Sequence, residues 1–189
     1  MKGQTGFTIT ELLVVVTIVG ILLSIGVPSY RYITNAYRMS VEVNALVGDL
    51  MYARAEAIKE GQVVAICVST DGLTCSGATT WQSGWIVFPD PTAGGSADVP
   101  ASVLHVQQAF TGATPDTFLP ANPISSIIFN REGFAVGAPA GNGAFGGNQF
   151  TLHDPTANAA WTRCLFINPQ GMIQTDTAQN QTAGLAACN

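Results

Sequence analysis

The sequence predicts an α+β chain: a long amino-terminal helix, apolar enough in its first half to cross a membrane, whose second half packs on an antiparallel β-sheet head. Three observations carry this. Phe7–Val27 reads FTITELLVVVTIVGILLSIGV, with Glu11 its only charge. Apolar residues then recur at three- and four-residue steps at Ala36, Met39, Val43, Leu46, Leu50, Ala53 and Ala57, one face of a helix. Beyond Gly61 come short strand-like runs, many bounded by Gly, Pro or Asp. The 189-residue chain is 47% hydrophobic and 10% charged, with mean hydropathy +0.29. Disorder is excluded, because disordered chains are rich in charge and poor in apolar residues.

The apolar run has the length of one spanning helix, which needs about 20 such residues. A cleaved secretory signal would end in a small-residue site; here the run is long and β-branched, no A-x-A pattern follows, and it leads into Pro28. Lys2 before the span favours a cytoplasmic amino terminus, although Arg31 and Arg38 beyond it weaken that bias. Glu11 is the anomaly, since a carboxylate near the centre of a spanning helix costs about 2.5–3.5 kcal/mol on insertion scales. Either it is functional and has a partner, or it lies near enough to the helix start to reach the headgroups. Pro28 removes a donor and is expected to kink the helix. If helical from Phe7 to Glu60, the rod runs about 80 Å at 1.5 Å per residue, and Lys59 and Gly61 supply its end. The segments are then 7–29 in the membrane, 30–60 amphipathic and packed on the head, and 61–189 the head. Its strands are expected near 62–68, 80–88, 102–110, 124–130, 149–153, 161–167 and 172–175, with Asn168-Pro169-Gln170-Gly171 as a late hairpin turn. The Gly-, Ala- and Pro-rich stretches 89–100 and 137–148 read as exposed loops.

Four cysteines, Cys67, Cys75, Cys164 and Cys188, follow the span without a C-x-x-C pair. They allow three connectivities. The favoured one joins Cys67 to Cys75 over Asp71-Gly72 and Cys164 to Cys188 at the carboxyl terminus, worth roughly 2.6 and 3.5 kcal/mol in chain-entropy arithmetic. Disulfides imply an oxidising compartment and so a periplasmic head.

Little chemistry is on offer. His105 and His153 have no nucleophile elbow or metal motif with them. Gly141–Gly146 matches G-x-G-x-x-G, but Ala-Pro-Ala precedes it and a strand-like run follows, the wrong context for a dinucleotide. Asn180-Gln181-Thr182 is a sequon in a surface tail, and neither Asp71 nor Asp90 has calcium-ligand spacing. No cofactor or metal is expected, and the chain reads as a non-enzyme.

Gly6-Phe7-Thr8-Ile9-Thr10-Glu11-Leu12 and the apolar run after it resemble the processing site of type IV prepilins and type II secretion pseudopilins. More narrowly, ARAEAIKEGQVVAICVSTDGLTC, then WQSGWIVFPD, then the late NPQG turn resemble the GspH/FimT group of minor pilins and pseudopilins. The resemblance implies the type IV pilin fold. It implies a leader of residues 1–6, cut between Gly6 and Phe7 by prepilin peptidase, with Phe7 then N-methylated. The new ammonium on Phe7 and the carboxylate of Glu11 are each costly in hydrocarbon and far less so as a pair. The two are also i, i+4 on one helix, so an internal pair competes; the resemblance favours a pair between neighbouring subunits that sets axial register.

The implied partners are other minor and major pilins, prepilin peptidase, the inner-membrane assembly platform and, before assembly, membrane lipid. The implied path runs from a single-pass inner-membrane precursor to a cell-surface type IV pilus, at or near its tip, in support of twitching motility. A type II secretion pseudopilin, a DNA-uptake minor pilin and an anchored periplasmic enzyme are the alternatives. Against DNA stands the group's basic Gly-Arg-x-Arg segment, which here reads Gly171-Met172-Ile173-Gln174. After Gly61 there are two basic residues, Arg131 and Arg163, against seven acids, a surface that repels phosphate. Trp81, Trp85 and Trp161 are expected in the core rather than stacked on bases.

Overall fold

A computed structural model of the chain describes residues 8–95, 98–111, 115–136, 145–178 and 188. Helix α1 covers Ile9–Glu60 and runs through Pro28 without interruption. It ends at Gly61, whose φ of +63° is open to glycine at little cost. There the amide of Gln62 reaches back to the carbonyl of Ala57 at 3.2 Å, the six-to-one bond of a Schellman cap. The chain divides into two compact units, one ending at Arg38 and the other starting at Met39.

In the second unit, helix residues Met39, Val43, Leu46, Leu50, Ala53 and Ala57 are buried in one core with both sheets. The strands are β1 (Val64–Val68), β2 (Trp85–Pro89), β3 (His105–Gln107), β4 (Thr117–Pro120), β5 (Ser126–Phe129), β6 (Ala135–Val136), β7 (Asn148–His153), β8 (Arg163–Ile167) and β9 (Ile173–Thr177). One sheet has the order β3-β2-β1-β5-β6 and the other β4-β7-β8-β9, with every neighbouring pair antiparallel. Val64, Ile66 and Val68 of β1 face the shared core. Ala65 and Cys67 pack on the opposite face with Ile86, Phe88 and Ile128, beneath Cys75, Ala93 and Val103. The first sheet is therefore covered on both sides at its centre, which is why Val63–Val68 is a continuous apolar run rather than an alternating one.

The expected strand at 80–88 is interrupted. Residues Trp81–Ser83 form a 3-10 turn, and β2 begins only after Gly84. Gly84 has φ +98°, and a Cβ there would lie 2.6 Å from the carbonyl oxygen of Gln107, so the chain bends where β3 crosses closest. The expected 102–110 strand is reduced to the three residues that pair with Trp85–Val87 of β2. Strands β4 and β6 were not expected at all. Thr117–Pro120 lies among Pro115, Pro120 and Pro123, a loop-like setting, yet β4 is an edge strand, where proline is tolerated. Ala135–Val136 is too short to carry a periodic signal.

Cys67 is bonded to Cys75 and Cys164 to Cys188, with Cα–Cα separations of 5.7 and 5.8 Å. The first bridge closes a loop organised by Asp71. Its carboxylate accepts the amides of Leu73 and Thr74, both at 2.8 Å, and the hydroxyls of Thr74 at 2.7 Å and Ser69 at 3.0 Å. These donors, led by Thr74, hold the Asp71 carboxyl well below the usual range.

Candidate assembly site

Glu11 occupies the first turn of α1, and the reason the helix starts there is local. The Thr8 hydroxyl accepts the amide of Glu11 at 3.3 Å, and the Leu12 amide bonds to the Thr8 carbonyl at 3.2 Å. Thr8 is thus the N-cap and Glu11 the third helical residue. Thr8-Ile9-Thr10-Glu11 has the T-x-x-E spacing of a capping box, a local signal in the sequence for this helix start. A carboxylate in this turn also faces the positive end of the helix dipole. Thr8, Thr10, Glu11, Val14 and Val15 line a shallow hollow of about 370 Å³. Gly6 and Phe7 lie outside the described residues.

From Thr8 to Arg38 no side chain is buried. Leu12, Leu13, Ile18, Leu22 and Ile25 are each more than half exposed. Water solvates such an apolar surface unfavourably. Pro28 supplies no amide to the turn before it, and Ser24 nearby turns its hydroxyl onto the Ile21 carbonyl at 2.7 Å.

The head offers two polar anchors that sequence reasoning missed. Asp49, on the core-facing side of α1, accepts the indole N–H of Trp85 at 2.8 Å and pairs with Nδ1 of His105 at 3.0 Å. It fastens the helix to β2 and to the edge strand β3. Arg54 donates Nε to the carbonyl of Gly133 and a terminal nitrogen to the carbonyl of Gly171, both at 3.0 Å. These carbonyls belong to the turns beyond β5 and β8, one from each sheet, and the turns also meet through the Ala135 amide on the Pro169 carbonyl at 3.0 Å. No spacing rule marks Asp49 or Arg54, since each partner lies dozens of residues away.

His105 is therefore half of a structural pair. Trp81 and Trp85 are fully buried, so neither presents a face for stacking, and Trp161 is half-buried against the core. In the late hairpin Met172 is half exposed, and the nearby guanidinium of Arg54 is already committed to two carbonyls. Among the described residues no three His, Cys, Asp or Glu side chains gather as metal ligands.

Asp90 is buried at the end of β2, accepting the amides of Gly95 at 2.7 Å and Gly94 at 3.3 Å beside Asp98. Burial, and then the neighbouring Asp98 carboxyl, push its pKa up to about 6. A folded value above the unfolded one stabilises at low pH and loses that contribution as pH rises through about 6. Asp90→Asn is accordingly expected to flatten the pH dependence of head stability between pH 4 and 7. The gain at pH 7 should be about 1–3 kcal/mol, read from denaturant melts at each pH. A variant whose stability still declines over that range at the parental slope would contradict this.

Comparison with known proteins agrees with this architecture. The profile of the family described as type II transport protein GspH matches residues 42–171. The prokaryotic N-terminal methylation motif matches residues 1–27. Two fimbrial proteins of Pseudomonas aeruginosa are each 41% identical over 64 residues, which is 34% of this chain and 41% of the relative. The match thus spans about two-fifths of the length of those curated relatives. Two crystal forms of the type IV minor pilin FimU of Pseudomonas aeruginosa share the fold, at TM-scores of 0.52 and 0.54 and identities of 22% and 20%. They cover 80% and 86% of this chain and 98% of their own.

Proposed function

Because the chain belongs to the GspH family of type II transport proteins, we propose that it is a structural subunit of a type IV pilus, a minor pilin built in at or near the tip. In this reading the precursor is held in the inner membrane by Phe7–Val27 with its head in the periplasm. Prepilin peptidase cuts between Gly6 and Phe7, Phe7 is methylated, and the assembly platform moves the helix from lipid into a filament core of other pilins. The observation that carries the reading is the helix up to Arg38, apolar along most of its length and without one buried side chain. Such a surface suits a subunit that exchanges one apolar environment for another. Glu11 then sets axial register by neutralising the amine of an adjacent subunit, because an unpaired charge in that core is costly. Pro28 loosens the helix just beyond the apolar run. The acidic head, two arginines against seven acids beyond Gly61, supports a structural role over DNA uptake.

Glu11→Ala is the test. It should insert in the membrane and be cleaved normally, while its recovery in sheared fibres falls at least about tenfold, as expected for losing an interaction of a few kcal/mol. Undiminished incorporation would refute the register role. Mass spectrometry of the mature chain should find it starting at N-methylated Phe7, and an intact Met1 would overturn the processing scheme.

The family's own description favours a second reading, a type II secretion pseudopilin. The two separate on deletion: loss of twitching marks the pilus, and loss of exoprotein release marks the secretion system.

A further inference from the structure

The segment just beyond the apolar run has a composition found nowhere else in the chain. Between Glu11 and Glu42 there is no acid, although the whole chain has a net charge of −5. Within that interval lie Arg31 and Arg38, with Tyr30, Tyr32 and Tyr37, three of the four tyrosines present. All are exposed on α1, the tyrosines at 70%, 49% and 72%. Arg31 and Arg38 are seven residues apart, as are Tyr30 and Tyr37, so the two pairs fall on adjoining faces two turns apart.

The helical rise places them. Ile9 to Val27 spans about 27 Å at 1.5 Å per residue, close to the hydrocarbon thickness of about 30 Å. Tyr30, Arg31 and Tyr32 then stand about 4–8 Å past Val27, within a headgroup layer roughly 5–8 Å deep. Tyr37 and Arg38 stand about 15–17 Å past it. Helical side chains lean toward the amino terminus, so these two reach back toward the same layer. Tyrosine sits well at this depth, with its ring in the acyl boundary and its hydroxyl in the headgroups. A guanidinium there meets phosphate in a two-pronged geometry.

We propose that Arg31 and Arg38, flanked by Tyr30, Tyr32 and Tyr37, form a collar that binds the phosphate headgroups of anionic phospholipids in the leaflet on the head's side. The collar sets how deep the precursor rides before assembly. It rests on the membrane-inserted precursor proposed above. The occupant is lipid because the collar is continuous with the apolar run, lies one bilayer thickness from the helix start, and carries the charge opposite to that of the headgroups.

The test uses the full-length chain reconstituted into vesicles of phosphatidylethanolamine alone or with phosphatidylglycerol. Integration is measured by flotation after alkaline extraction. Lipid retained on the chain is then counted by native mass spectrometry after transfer to mild detergent. The parental chain should integrate and retain phosphatidylglycerol over phosphatidylethanolamine by about thirtyfold, the expectation for two basic residues at an anionic surface. Arg31→Gln/Arg38→Gln should integrate equally and fall to no more than about twofold, while Arg31→Lys/Arg38→Lys keeps most of the preference. Normal integration without a preference, or a preference the Gln pair leaves intact, overturns the collar and leaves the precursor reading standing. Failure of the parental chain to integrate overturns that reading itself.

Discussion

Trp85→Ala is expected to cost the head about 3–5 kcal/mol, the range for deleting a large buried aromatic side chain. Trp85 is fully buried, with its ring centroid 6.2 Å from that of Trp81 and 6.0 Å from that of Phe110. Its indole N–H also satisfies one oxygen of Asp49, itself only 8% exposed. The alanine variant thus opens a cavity and removes a donor from a buried carboxylate on the helix. Trp85→Phe separates the two effects. It keeps most of the ring volume and should lose about 1–3 kcal/mol, the cost of leaving a buried acceptor short of a partner. Denaturant melts of the detergent-solubilised full chain, followed by near-ultraviolet circular dichroism, read both variants. A loss below about 1 kcal/mol for Trp85→Ala would mean that this cluster is not the centre of the core.

Gly171→Ala is expected to be comparably severe although it adds a single carbon. Gly171 has φ +72°, and a Cβ there would lie 2.3 Å from the backbone carbonyl oxygen of Gly133. A neighbouring backbone cannot swing aside as a side-chain tip can. The two turns must part, and with them go the bonds of Arg54 to both carbonyls, each worth about 1.5–3 kcal/mol as hydrogen bonds to a charged group. Added to the left-handed strain of about 1–2 kcal/mol, this gives an expected loss of about 4–8 kcal/mol. Gly48→Ala is the matched control. Nothing lies within 4 Å of its new Cβ, and its helical, exposed position should gain up to about 1 kcal/mol. Equal stability of the two variants would show that Arg54 does not draw the turns together.

The candidate site was only partly legible in advance. Glu11 stood out because a charge within an apolar run is costly wherever the chain folds, so its significance needs no coordinates. The fold sets it in a capped first turn, with Thr8 as the cap. The head was harder. Residues 126–129, 148–153 and 163–167 were anticipated nearly in full, because they are short apolar or alternating runs whose ends carry their own turn signals. Residues 117–120 were not, since a proline-flanked strand has little local signature until β7 provides its pairing partner.

The sequence by itself determined the parts whose free energy is local or depends on solvent alone. These are the long apolar rod, its amphipathic continuation to Gly61, and the antiparallel class of the head. Periodicity and transfer energy act residue by residue and so are written in order along the chain. The tertiary structure alone decided that α1 is fastened by Asp49 to Trp85 and His105, and by Arg54 to Gly133 and Gly171. It also decided that two sheets rather than one share the core. Those contacts join residues up to 117 positions apart, and their worth exists only once burial has removed the competing water.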